Sequence, residues 1–436
     1  MHRAIALDLT CLALGPMSWT PRGIDRVELA YAWHFLAHWP GDCFAVIPTV
    51  WGVRYFDRAR AMRGLAALEE IWRETSSLAD DAPYQRVKAF LSGEAGAAPS
   101  RGLARRKPLW RQSGDFLRLL GATGVVLGKP VTSLPQAATY LNVGQLIIFR
   151  SAMSWLKQRP DISSVFMIHD LLPLQLPDYH VALGQKLHRR IVENAARFAD
   201  ALIVPSQAVQ ASLQHAAVPA NLTRLPVHVE LLPVPRAFLQ PAEKDPGLIA
   251  ADYFVACGAL EAHKNHLLLL EVWSKMVAIH GSRMPKLVIA GNPSVTSQAL
   301  FDFVARNSAI RDSVFFVSGL STAALRSLIM SAKALLMPSL GEGFGLPIVE
   351  ALAQGTAVIA SDIAAHREAG AGGEVIYLNP YDPAAWMVVI ELYHNHEAQV
   401  APVKYSAKRW EDYFVGIEEF LATQTSSPQG PVYGTR

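Results

Sequence analysis

The chain has 436 residues, 51% of them apolar and 18% charged, which rules out a disordered protein and is long enough for two hydrophobic cores. Forty Lys and Arg against 37 Asp and Glu leave a formal charge of only +3, too small a surplus to indicate a nucleic-acid partner. Cys11, Cys43 and Cys257 stand far apart, without the spacing of a disulfide framework or a zinc site, and suit a reducing cytoplasm.

The first apolar run, from Ala4 to Gly15, carries Asp8 in its middle. A charge there, with no small-residue cleavage site following, favours a buried first strand over an export signal. No stretch reaches the ~18 uninterrupted apolar residues that a membrane span needs. Ala4–Leu9, Cys43–Pro48, Val165–Ile168 and Ala201–Val204 read as strands alternating with helical patterns, among them Val27–Leu36; this is the signature of a parallel sheet covered on both faces. Residues 56–127 break the alternation and read as an insertion. Within it, Asp80-Asp81 beside Ala82-Pro83 reads as an exposed turn. Arg101, Arg105, Arg106, Lys107, Arg111 and Arg118 are interleaved there with Leu109, Trp110, Phe116 and Leu120, a mixture suited to an anionic membrane surface, although Gly114 weakens a continuous helix. A solvated loop packed by its leucines has the same composition.

The proline-rich run Leu232–Pro246 suits an extended interdomain linker. A second series of strands follows: Tyr253–Ala256, Lys286–Ala290, Val314–Val317, Ala334–Met337, Ala357–Ala360 and Glu374–Tyr377. Apolar residues at 410, 413, 414, 417, 420 and 421 form a helical stripe, and the polar tail from Thr423 reads as flexible. The expected division is a first domain over 1–231 with its insertion near 56–127, a linker over 232–248, a second domain over 249–402, a helix over 403–422 that returns to the first domain, and a tail over 423–436.

The most informative segment is Ala334-Leu-Leu-Met-Pro-Ser-Leu-Gly-Glu342-Gly-Phe-Gly-Leu-Pro-Ile-Val-Glu350. A buried strand feeds a glycine-rich turn that opens a helix, with Pro347 in the first helical turn. Such a turn sits at the carboxyl end of a parallel strand, where α/β folds bind ligands and free amides favour phosphate. It is not a dinucleotide fingerprint, because the final glycine of G-x-G-x-x-G is missing, and the only Gly-Lys pair, Gly128-Lys129, is followed by proline and makes no Walker loop. An ordinary strand-turn-helix unit is the bland alternative.

The Glu-x7-Glu spacing of Glu342 and Glu350 around Gly-Phe-Gly-Leu-Pro resembles the signature of the family 4 glycosyltransferases. Gly258-Ala-Leu-Glu-Ala-His-Lys264-Asn265, Leu287–Gly291, Gly319–Leu325 and Asn379-Pro-Tyr-Asp382 occur in that family's order. In the first half Gly23–Glu28 and Ile168-His169-Asp170 resemble segments of lower information content. The resemblance implies an α/β protein of GT-B fold, two doubly wound Rossmann-like domains facing a central cleft. It further implies that Glu350 accepts hydrogen bonds from a nucleotide ribose, that Glu342 and the amides of Phe344, Gly345 and Leu346 hold the donor sugar and diphosphate, and that Lys264 is the diphosphate cation. His169 then contacts the donor sugar, and Gly23 lets backbone approach phosphate or acceptor. Where relatives carry a second basic residue this chain has Ala259 and His263, so His263 or another group supplies that charge; Arg26 is a candidate, or else a solvated first-turn residue.

The implied activity is transfer of a hexose, mannose among the candidates, from GDP-mannose or a UDP-sugar to a glycan or lipid-linked saccharide, with retention, in polysaccharide or glycolipid biosynthesis. No metal and no cofactor beyond the nucleotide sugar are expected, and no nucleic acid. The expected location is cytoplasmic, peripheral on the inner membrane face through residues 101–120. Rival readings are a sugar-nucleotide epimerase or phosphorylase of the same fold, a non-catalytic sugar-nucleotide-binding scaffold, and an inverting transferase with His169-Asp170 as its base.

Overall fold

The structure is a computed structural model that describes residues 2–73, 77–93, 107–124, 128–145, 150–216, 218–240, 243–249, 251–395 and 405–424. The tail from 425 onward and Arg101, Arg105 and Arg106 therefore lie outside the described residues.

Two sheets organise the chain. The first contains β1 (Ile5–Asp8), β2 (Cys43–Thr49), β3 (Gly52–Asp57), β4 (Lys129–Pro130), β5 (Thr139–Asn142), β6 (Ser163–Met167), β7 (Ala201–Val204) and β8 (Val227–Val229). Their order is β4-β3-β2-β1-β5-β6-β7-β8. Neighbours are parallel except at the β2–β3 and β3–β4 edge. The second sheet contains β9 (Tyr253–Cys257), β10 (Lys286–Ala290), β11 (Val314–Val317), β12 (Ala334–Met337), β13 (Ala357–Ser361) and β14 (Val375–Leu378). Its order β11-β10-β9-β12-β13-β14 is that of a dinucleotide-type doubly wound sheet, parallel throughout. Central strands β1, β5, β9, β12 and β13 are buried along their whole length, as expected where helices cover both faces.

Strand β5 has no counterpart among the sequence-predicted strands. Its four residues begin and end with Thr139 and Asn142, and polarity at both ends masks a central strand; Asn142 pairs in register with Asp8. Gly114 does not interrupt the insertion helix, which runs unbroken from Leu109 to Thr123; a single exposed glycine costs only about 1 kcal/mol. The proline-rich connection is not uniformly extended either, since Arg236–Leu239 and Pro246–Ile249 each form a turn of helix.

Part of the insertion crosses to the second sheet. The helix Ala82–Ser92 stacks Phe90 on Phe315 of β11 with ring centroids 4.9 Å apart, and Tyr84 bonds Ser327 at 2.7 Å. Asp81 is wholly buried rather than an exposed turn: one carboxylate oxygen caps this helix at Tyr84 N and the other accepts from Ser321 N of the second domain at 2.8 Å. From the other end of the chain, the helix Trp410–Thr423 lies on the helix Gly23–His38. There the Tyr31 and Tyr413 hydroxyls meet at 2.7 Å and His34 stacks on Phe414 at 3.8 Å. The apolar stripe read from the sequence is the buried face of this helix.

Candidate active site

The carboxyl ends of both sheets' strands face each other, and the residues singled out above gather there from the two sides. On the second domain, β12 runs into Ser339, the turn Gly341–Gly345 and the helix Leu346–Ala353. Gly345 sits at φ +114°, a left-handed conformation that L side chains rarely adopt. A Cβ on Gly343 would fall into the carbonyl oxygen of His169 in the opposite domain, so glycine is required there by close backbone approach. Ser206 Oγ, just past β7, donates to the Gly343 carbonyl at 2.6 Å.

Lys264 reaches this turn from the loop after β9. Its Nζ donates to Glu342 Oε1 at 2.6 Å, and Ser339 Oγ donates to the same oxygen at 2.7 Å. Burial alone would raise the Glu342 pKa, but Lys264, His366 and His263 hold it at about 2, so the carboxylate is ionised at any physiological pH. The loop bends where Gly258 takes φ +137° against the Lys264 side chain. Gly291 supports that bend, since a Cβ there would overlap the Gly258 carbonyl.

Glu350 lies one turn into the Leu346 helix, on the same face as Leu346. It is buried, and its Oε1 accepts from Arg26 Nη1 of the first domain at 2.7 Å. Burial pushes the Glu350 pKa up and Arg26 opposes the rise. Arg26 is thus no solvated first-turn residue: with 17% of its side chain exposed, it is an interdomain cation. Gly23 opens the same helix and faces Leu346, whose Cδ1 lies 3.6 Å from where a Cβ would sit.

His169 follows β6 and is buried; its backbone N–H donates to Gln145 Oε1 at 2.8 Å. Its Nε2 lies 2.7 Å from the Val143 carbonyl; a carbonyl only accepts, so Nε2 carries the hydrogen and Nδ1 the lone pair. Burial pushes its pKa down, which keeps the ring neutral. Asp170 does not pair with it but caps Leu172 N at 3.1 Å.

His263 does not supply the missing positive charge. Burial, with Lys264 adding repulsion, lowers its pKa to about 4, and its ring stacks on His180 of the first domain, centroids 4.9 Å apart. His180, Glu261 and His263 each offer a ligand atom within 4.8 Å of one another. They are the one potential metal-ligating group found among the described residues, and the Lys264 ammonium beside them disfavours a cation.

Several participants, Ser206, Ser339, His366 and Gln145 among them, went unread in the sequence. Arg26 appeared there only as one candidate among others. His366, on the short helix after β13, is fully buried against Gly345; Nδ1 donates to the Ser361 carbonyl at 3.0 Å, and Nε2 has no partner. Gln145 holds the His169 amide from a left-handed φ of +54°. A non-glycine residue in that region stores strain that functional sites commonly retain, and no pattern in the chain announces it.

Residues 251–395 match the family described as glycosyl transferases group 1. That match spans the second sheet and its helices. Among curated proteins, the chain is similar to the O-antigen chain mannosyltransferase RfbU of Salmonella typhimurium, 30% identical over 51% of this chain and 59% of that one. It is also similar to the serotype-specific mannosyltransferase WbdA of Escherichia coli, 26% identical over 47% of this chain and 26% of that one. The alignments thus span less than two thirds of either relative. Sucrose-phosphate synthase from Thermosynechococcus elongatus superposes over 97% of this chain and 98% of its own, at TM-score 0.58 and 16% identity. Together with the two sheet orders, that likeness shows the GT-B fold.

Proposed function

We propose that the protein is a glycosyltransferase that moves a hexose from a nucleotide-diphosphate sugar, GDP-mannose before a UDP-sugar, to a lipid-linked or growing saccharide in surface-glycan biosynthesis. The observation that carries this reading is the Lys264–Glu342 pair beside the Phe344–Leu346 amides and Glu350, all at the carboxyl edge of one parallel sheet. An ammonium and free amides suit a diphosphate, and a carboxylate suits vicinal ribose hydroxyls. The preference for mannose rests on the two mannosyltransferase relatives.

In this reading the bond from the anomeric carbon to the diphosphate breaks, the acceptor oxygen bonds to that carbon, and the hydroxyl proton leaves with the diphosphate or to solvent. Charge builds on the departing diphosphate, so Lys264 and the turn amides act mainly in the transition state. Glu342 keeps Lys264 aimed at that oxygen. Ribose hydroxyls approaching Glu350 either displace Arg26 or take the other carboxylate oxygen; in both cases the guanidinium is the second cation for the diphosphate, the role His263 cannot fill. The reaction needs no metal, and the product retains its anomeric configuration, as the resemblance implies.

The acceptor side is read as membrane-associated. On the helix Leu109–Thr123 three large apolar residues on one arc stand exposed: Leu109, Trp110 and Leu117 are 79%, 75% and 69% exposed. Arg111 and Arg118 lie together on one side of that arc, Arg118 bonded to Glu70 at 3.0 Å, while Lys107 is buried against Asp115 and takes no part. Apolar residues bordered by cations suit the boundary of an anionic bilayer.

Turnover of GDP-mannose and UDP-glucose with extracted lipid-linked saccharides, product configuration being read by NMR, tests the reaction. A transferred, retained hexose supports it; reversible epimerisation, or binding without turnover across the acceptor panel, would replace it by a rival. Vesicle flotation tests the membrane contact: binding to anionic lipid that salt weakens and Trp110→Ser reduces is expected, and no binding would remove it.

A further inference from the structure

The first domain contains a cavity of about 750 Å3 that plays no part in the site above. It lies between the β2–β3 hairpin, the helix Arg58–Arg73 and the helix Leu109–Thr123. Ile47, Phe56, Leu65, Leu68, Phe116 and Leu119 form its walls. No charged side chain lines it among the described residues. Its two threonines are already satisfied, Thr49 Oγ1 donating to the Gly52 carbonyl at 2.7 Å and Thr123 Oγ1 to the Leu119 carbonyl at 2.8 Å. A space this apolar gives water few partners, yet its size falls within the range of small-molecule sites.

Its position matters as much as its lining. Leu9 and Leu12 follow the carboxyl end of β1, and Val50 and Trp51 follow that of β2. The cavity therefore reaches the same sheet edge as His169 and Ser206, the edge that faces the donor turn. Around it Leu14, Val50, Trp51 and Leu120 are exposed, Val50 by 90%. A cation borders them: the Arg54 guanidinium donates to the Trp51 carbonyl at 3.1 Å.

We propose that this cavity holds the hydrocarbon chain of a lipid-phosphate-linked acceptor, with the phosphate beside Arg54 and the attached sugar directed into the cleft. The proposal rests on the acceptor side of the function above and names its chemical class. The dry walls select a hydrocarbon, the bordering Arg54 guanidinium selects an anionic head, and the shared sheet edge brings that head to the reacting side. The inserted helices thus build the wall of a substrate site, beyond offering a face to the bilayer.

Farnesyl phosphate, held below its aggregation threshold, is the probe, titrated calorimetrically into the full chain. Saturable one-to-one binding is expected, weakened at least tenfold by Val50→Glu at the exposed mouth and by Leu65→Trp, which fills the interior. Farnesol should bind more weakly than farnesyl phosphate, and inorganic phosphate should not compete at equal concentration. GDP-mannose titrated into the same samples keeps the two readings apart. Normal donor binding with no farnesyl phosphate binding, or with equal binding by wild type and Val50→Glu, would overturn the cavity assignment and leave the donor site standing. Val50→Glu decides the matter should Leu65→Trp fail to fold, because an exposed position tolerates the change.

Discussion

Two largely buried ion pairs face the cleft, and they differ in what holds them. Lys264 and Glu342 belong to one domain, on loops after β9 and β12, with Ser339 fixing the carboxylate from a third direction. All three residues come from the second domain, although the first domain also touches the turn next to Glu342, through Ser206 on the Gly343 carbonyl. Arg26 and Glu350 belong to opposite domains, and their 2.7 Å contact joins the two sides of the cleft. The first pair is a preorganised electrostatic device. The second is a contact that a donor would disturb in the proposed reading, because ribose hydroxyls would have to approach the carboxylate that the guanidinium already holds. Removing one partner should therefore do different things in the two places: in the first it changes the chemical step, in the second the balance between ligand-free closure and donor binding.

The largest effect is expected from Lys264→Ala. Turnover should fall on the order of 10²–10³-fold, the usual cost of losing one oriented group at a developing negative charge, with a smaller change in donor affinity; Lys264→Gln should not recover it. Steady-state kcat and KM separate the two quantities, and normal turnover would move the diphosphate cation elsewhere.

Glu350→Ala should weaken donor binding by about 1–3 kcal/mol, because the ribose hydroxyls lose their acceptor in a closed site. Arg26→Ala sharpens the comparison. It leaves Glu350 buried without its cation, so the ligand-free protein should lose stability. The loss should stay below the about 3–5 kcal/mol typical of fully buried pairs, because Arg26 is partly exposed. Thermal melts with and without nucleotide read this out, and equal losses in both conditions would mean that Arg26 and donor do not compete.

The smallest effect concerns pH. His263 titrates at about 4 in the folded chain against an ordinary value of 6.5. The unfolded chain therefore binds the extra proton between those values, and stability should fall as pH drops from 6.5 towards 4. Glu342, held at about 2 against 4.5, adds a loss below pH 4.5 on the same grounds. His263→Gln should flatten the first part of the decline in a denaturant series; an unchanged slope would show that the buried ring is not what the folded state keeps neutral.

The two sides of the cleft were not equally legible in the sequence. On the second domain Gly341 through Glu350 are contiguous, so strand, turn, helix and both carboxylates could be read in one pass, and Lys264 stood in a recognisable loop. The first domain assembles its face from Gly23–Arg26, Gln145, His169 and Ser206, four separated segments that meet only through the strand order β1-β5-β6-β7. The central β5 was hidden by its polar ends, and Arg26 looked like any helical arginine until its partner, 324 residues away, was in place. Asp81 and Lys107 were misread for a related reason: a charged residue in a loop-like stretch reads as solvated, whereas both are buried here and satisfied by partners from other elements.

The central claim, that the carboxyl edge of the second sheet binds a nucleotide-diphosphate sugar, is tested most directly by calorimetric titration of GDP-mannose and UDP-glucose into wild type and Glu350→Ala. The account predicts one-to-one binding of at least one donor by wild type and an affinity roughly 5- to 150-fold lower in the folded variant, the equivalent of about 1–3 kcal/mol. Equal affinity in the two proteins, or no binding of either donor by wild type, would contradict it.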